Sequence, residues 1–138
     1  MNQHVPSMIQ VGYRLPDLSL PPISRKTLAL FAGASHDHTA IHIEPAIAQA
    51  MGHEDVIAHG MLVMASMARL LTRWRPQRNI QRLKARFLAT VAVGDALSFT
   101  GHVASLDEHD GLRCAGIIIN GATQHGHPVI TGEADVIL

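Results

Sequence analysis

The chain has 138 residues, 47% of them apolar and only 16% charged, with 11 basic and 11 acidic side chains. That length suits one domain, that composition excludes a disordered chain, and a formal charge of zero excludes a uniformly basic nucleic-acid binder. A lone cysteine, Cys114, excludes an intrachain disulfide and any CxxC or zinc-finger reading, and it is expected as a small buried hydrophobe. No apolar run approaches the roughly 18 residues that cross a bilayer. The start lacks the basic and apolar blocks of a signal peptide, so a soluble, cytoplasmic protein is expected.

Residues 1–10 read as a tail, and the remainder, 11–138, as a single domain. Pro6, Pro16, Pro21 and Pro22 punctuate the beginning and leave room for one strand near Val11–Leu20. Ser24 follows as a helix N-cap, with Leu28, Phe31 and Ala32 as an apolar stripe ending near Ser35. Residues 35–43 are too polar and too short for a helix of their own. Glu44-Pro45 opens a short helix with Gly52 as its stop. Gly60 opens a third, whose stretch 61–68 is apolar almost all round and is expected to be buried on most sides, with Pro76 beyond its end.

Everything afterwards has strand character. Alternation at Ile80, Leu83, Ala85 and Phe87, a strand through Leu97 and Phe99, and strands over 112–120 and 128–138 are divided by Val93-Gly94-Asp95, His109-Asp110-Gly111 and a connection over 121–127. One early strand, then helices, then four strands predicts an α+β fold, an antiparallel sheet wrapped around a buried helix.

Two irregularities of distribution carry functional information. Five of the ten histidines, His36, His38, His42, His53 and His59, crowd one short stretch. No acid occurs between Val56 and Gly94, a span that holds Arg69, Arg73, Arg75, Arg78, Arg82, Lys84 and Arg86. On a strand, Arg82, Lys84 and Arg86 share one face. They are candidates for binding a phosphate-bearing ligand; the bland alternative is a solvated face paired with acids from elsewhere.

The loop Ser35-His36-Asp37-His38-Thr39-Ala40-Ile41-His42 sets a carboxylate and an imidazole five residues apart, and His59-Gly60-Met61-Leu62 follows where the third helix begins. A carboxylate and an imidazole can hold and deprotonate a water. Free N–H groups at a helix start can stabilise an oxyanion, and Gly60 lets a carbonyl approach them closely. Those are the parts for adding water to a double bond conjugated with a thioester. Alternatives for the loop are a surface ion pair, or a metal site built from His36, Asp37, His38 and His42. No metal and no cofactor is expected.

The run from Phe31 to Arg69 resembles the MaoC-like dehydratases, which include the (R)-specific enoyl-CoA hydratases. Ser35, Asp37, Ile41, His42, Pro45, Ala58, His59, Gly60, Met61 and Leu62 match their motif in order and spacing, and Phe87-Leu88-Ala89 with Val93-Gly94-Asp95 resemble the strand and turn that follow. The resemblance implies a hot-dog fold with an overhanging helical segment, a homodimer, and reversible hydration of trans-2-enoyl thioesters to (R)-3-hydroxyacyl thioesters carried on CoA or acyl carrier protein. It implies Asp37 and His42 as the catalytic pair and Gly60 as oxyanion donor, with His59 and Met61, beside Arg82, Lys84 and Arg86, as substrate-binding candidates. Thr39-Ala40 replaces the usual Asn-Pro, His36 and His38 flank Asp37 with bulk, and Ala68 stands where some hydratases have serine. A hot-dog thioesterase and a non-catalytic acyl-thioester-binding partner subunit are the competing readings.

Overall fold

The structure, a computed structural model, describes residues 8–138. Ser24 caps α1 (Arg25–Ser35), its hydroxyl accepting the Thr27 N–H at 3.1 Å. Proline in the first turn opens α2 (Pro45–Ala50), and α3 (Gly60–Thr72) ends ahead of Pro76. The strands are β1 (Leu18–Ser19), β2 (Ile80–Phe87), β3 (Leu97–His109), β4 (Leu112–Thr123) and β5 (Pro128–Ile137). All pair antiparallel in the order β1-β3-β4-β5-β2, and the sheet curves over α3, giving the α+β hot-dog arrangement.

Alternation builds the core. Phe99 and Val103 of β3, Ile117 and Ile119 of β4, and Ile130, Ala134 and Val136 of β5 face inward against Val63, Met67, Leu70 and Leu71 of α3. Asp110 and Gly111, at φ 52° and 76°, join β3 to β4 with the two left-handed residues that a type I′ hairpin requires. No helix among the described residues is long and apolar enough to cross a membrane.

The structure corrects five expectations. The strand near Val11–Leu20 shrinks to two residues: Gly12 turns at φ 88°, Pro16 has no N–H, and only an isolated bridge joins Arg14 to His102. α3 is buried on one side alone, since the sheet wraps it from one direction and Met61 and Ala65 face outward. β4 runs three residues past Asn120, because Gly121 is a packing residue: a Cβ there would lie 2.6 Å from the Phe99 ring. Of the expected tail, residues 1–7 lie outside the described residues, whereas Ile9 packs on the core and its carbonyl accepts from Arg113 at 2.9 Å. Cys114 is only half-buried.

Candidate active site

The loop after α1 is shaped by its own side chains. His36 takes a left-handed conformation, φ 58°, and turns the chain out of the helix. Asp37 Oδ1 then accepts two hydrogen bonds from Thr39, 2.6 Å from the hydroxyl and 3.2 Å from the backbone N–H. Those bonds, the hydroxyl's first and the N–H's second, hold the Asp37 carboxyl below its ordinary pKa and keep it ionised. Thr39 thus replaces the asparagine of the resemblance with a donor of its own. A single 3-10 turn, Ala40–His42, follows and swings His42 inward.

Three hydrogen bonds join this loop to the segment before α3. The Ile57 N–H donates to the Ile41 carbonyl at 3.2 Å. His42 Nδ1 lies 2.8 Å from the Ile57 carbonyl, and His59 Nε2 lies 3.0 Å from the Asp37 carbonyl. A carbonyl only accepts, so each ring donates through that nitrogen. The neutral His42 ring therefore carries its proton on Nδ1, and Nε2 is left as a bare acceptor. Nε2 lies 3.9 Å from Asp37 Oδ2, too far for a direct hydrogen bond and suited to sharing one water. The His42 side chain is 12% exposed and that of Asp37 46%, so the pair opens to solvent on the carboxylate side. A cleft of about 350 Å³ lined by Arg25, Ala29, Ala32, His38, His42, Ile43 and Val56 lies beside it.

His59 corrects an expectation. Named from sequence as a substrate contact, it is only 1% exposed. Its ring stacks on His42, with centroids 3.9 Å apart and planes at 24°, and meets the Phe31 ring edge-on at 4.9 Å. Its Nδ1 has no partner among the described residues.

Gly60 is the first residue of α3, and no side chain caps the helix. The Leu62 and Val63 N–H groups bond to the His59 carbonyl. Those of Gly60 and Met61 have no partner among the described residues and carry the positive end of the helix dipole. A Cβ at position 60 would touch the Phe87 ring at 3.5 Å, an ordinary contact, which places the half-exposed Phe87 beside the helix start. Met61 is 60% exposed and free to meet a ligand.

The basic strand face is not the row of free cations that its sequence suggests. Arg82 Nε binds Asp135 Oδ2 at 2.7 Å, and Lys84 lies in register with Glu133. β5 supplies the acids that the 56–94 segment lacks. Of the three, Arg86 alone lies opposite a neutral residue, Thr131. Sequence also gave no sign of the paired hydrogen bonds between Arg25 and Asp55, which tie α1 to the loop before α3. Nor did it signal the Ile57 carbonyl, a backbone atom with no residue signature.

Asp37, His42 and His59 bring ligand-type atoms within 4.8 Å of one another. The set does not fit a metal. The two rings lie face to face at 3.9 Å, so their in-plane lone pairs do not converge on one point at the metal–nitrogen distance of about 2 Å. His36 and His38 are outside this cluster.

The antiparallel sheet over α3 is the hot-dog architecture that the resemblance implies. The MaoC-like domain model matches residues 15–118, and the chain belongs to that family. It is 33% identical over 113 residues to the (R)-specific enoyl-CoA hydratase of Aeromonas caviae, covering 80% of this chain and 83% of that one. A mitochondrial 3-hydroxyacyl-[acyl-carrier-protein] dehydratase of Arabidopsis thaliana is 27% identical over 133 residues, 96% of this chain and 79% of the relative. The solved structure of an A. caviae (R)-hydratase involved in PHA biosynthesis superposes with a TM-score of 0.83 at 29% identity, covering 96% and 98% of the two chains.

Proposed function

We propose that this protein reversibly adds water to trans-2-enoyl thioesters, giving (R)-3-hydroxyacyl thioesters, with Asp37 and His42 as the acid–base pair. One observation carries the reading. The Ile57 carbonyl fixes the His42 proton on Nδ1, and the free Nε2 lies 3.9 Å from an ionised carboxylate, so that one water can hydrogen-bond to both from the side. Asp37 accepts one hydrogen of that water and orients it. Nε2 takes the other as the water oxygen bonds C3 of the enoyl group. The displaced electron pair moves to the thioester oxygen, where the Gly60 N–H stabilises the enolate. The His42 imidazolium then gives the proton it took to C2 of the enolate and returns to the neutral ring, so that H and OH have added across the double bond. Dehydration is the same path reversed.

The carrier is CoA or acyl carrier protein, and the working form a cytoplasmic homodimer. The outward side of α3, with exposed Met61 and Ala65, supports a second copy there. Arg86 is the strand residue best placed for carrier phosphate; Arg82 and Lys84 face carboxylates.

The test is crotonyl-CoA and its longer homologues on both carriers, mixed with the purified protein alone. Loss of enoyl absorbance with an (R)-3-hydroxyacyl product supports the reading. Release of free thiol would make it a thioesterase, and inertness across the panel would leave a binding subunit.

A further inference from the structure

We propose that His59 is a positioning residue: it holds Asp37 in place through its Nε2–H, and its ring is the platform on which His42 rests. The inference rests on the hydratase reading above for its kinetic consequence, although its structural content stands independently.

The argument begins with how the Asp37 loop is attached. Asp37 donates its N–H to Ser35 at the end of α1 and accepts from Thr39 within the loop, so these bonds are local, spanning two residues each. Among the described residues, the bond from His59 Nε2–H to the Asp37 carbonyl is the one that ties Asp37 itself to a distant element, 22 positions away. His59 is the N-cap residue of α3, and the chain just beyond it packs Val63 and Met67 into the core. Asp37 is thereby referenced to a helix anchored in the core.

The same ring serves the other partner. His42 is fixed at one edge by the Ile57 carbonyl, a single bond about which a ring can still rock. His59 lies against its face at 3.9 Å and closes that freedom from one side, with Phe31 bracing His59 in turn at 4.9 Å. One side chain thus sets both the carboxylate-bearing backbone and the imidazole plane. The 3.9 Å gap between Nε2 and Oδ2 depends on both.

Burial separates this role from two simpler ones. At 1% exposed, His59 does not meet substrate. As mere filler, a phenylalanine or leucine would occupy the slot without a stranded polar atom. The buried Nδ1 without a partner among the described residues is a cost. Histidine at this position makes sense when its other nitrogen does something that an apolar ring cannot.

The experiment has two arms. Nitrogen-15 NMR of the wild-type protein reads the tautomer directly: His59 is expected as Nε2–H with bare Nδ1, and His42 as Nδ1–H. A His59 proton on Nδ1 would exclude the bond to Asp37 and overturn the proposal, whatever the protein catalyses. The kinetic arm compares His59→Phe, which keeps the stacked ring and loses the donor, with His59→Gln, whose amide nitrogen restores a donor near Nε2. His59→Phe is expected to lower kcat by roughly tenfold to a hundredfold with KM little changed, the size of loss that about 1 Å of misplacement brings. His59→Gln restores the donor without the ring, so it should recover only the part of that loss that comes from the hydrogen bond to Asp37. On an Asp37→Asn background, His59→Phe should cost less than about twofold more, because a residue acting through another adds little once that one is gone. A His59→Phe variant with wild-type kcat, or a full further loss on the Asp37→Asn background, would overturn the proposal. A wild type inert on enoyl thioesters would sink the hydratase reading alone, and the tautomer would still decide this one.

Discussion

Asp37 and His42 should behave as one catalytic unit, and the structure indicates which substitutions test this cleanly. Asparagine at position 37 retains an oxygen for the two Thr39 bonds, so the loop keeps its shape while the charge disappears and one oxygen becomes an amide donor. At position 42, alanine would strand the Ile57 carbonyl, a penalty of about 1–3 kcal/mol that mixes stability with activity. Asparagine is better there: its amide nitrogen stands near the place of Nδ1 and can still donate to Ile57, while nothing replaces Nε2. Each single variant should lose about a hundredfold in kcat or more, the range for a positioned acid or base. The water needs both partners across the 3.9 Å gap, so the double variant should lose little beyond the worse single one. Decay of enoyl absorbance at saturating substrate, with thermal melts to show that the variants fold, measures this. A single variant within about threefold of wild type would remove the pair from the chemistry. Losses that multiply would mean that the two residues do separate jobs.

Thr39→Val removes the larger of the two influences on Asp37, so its pKa should rise toward the ordinary carboxylate value, read by NMR titration. In the wild type that pKa is depressed, so the stabilisation from Asp37 is present above the unfolded-state value and is lost as pH falls through the folded one; Thr39→Val should lessen this acid sensitivity. His36→Gly should raise stability by about 0.5–1 kcal/mol in a denaturant melt, since a left-handed non-glycine costs about 1–2 kcal/mol and the looser unfolded chain returns part of it. For the basic strand, Arg86→Ala should raise KM for a CoA thioester at low salt and lose that effect as salt rises, whereas Arg82→Ala, whose partner is Asp135, should leave KM unchanged.

Legibility in the sequence followed the range of the interaction. Ser24, Pro45 and Asp110-Gly111 act within a few residues, and each set an element boundary that the chain itself announces. Gly121 misled because a glycine that yields space to Phe99 looks the same as one that turns the chain; only the neighbouring strand tells them apart. The same holds for charge. Arg82 has no acid within twelve positions in sequence and has one, 53 positions away, at 2.7 Å in space. At the site, the motif brought Asp37, His42 and Gly60 forward together, yet it could not reveal that His42 takes its tautomer from a backbone carbonyl or that His59 lies beneath it.

The loop from His36 to His42 is held by folded-state contacts and not by chain stiffness. Thr39 already has φ −58° and ψ 130°, the extended shape required before a proline, and Ala40 opens the 3-10 turn, but no ring locks it. Ordering such residues costs about 1–2 kcal/mol each in backbone entropy. The segment is therefore expected to part from the His59 side and re-close without the sheet melting, a local opening rather than a global one. Its amides should exchange with solvent sooner than those of the central strands. A proline at position 40 would pay that entropy before folding, which makes the time the loop spends closed a property that one residue can tune.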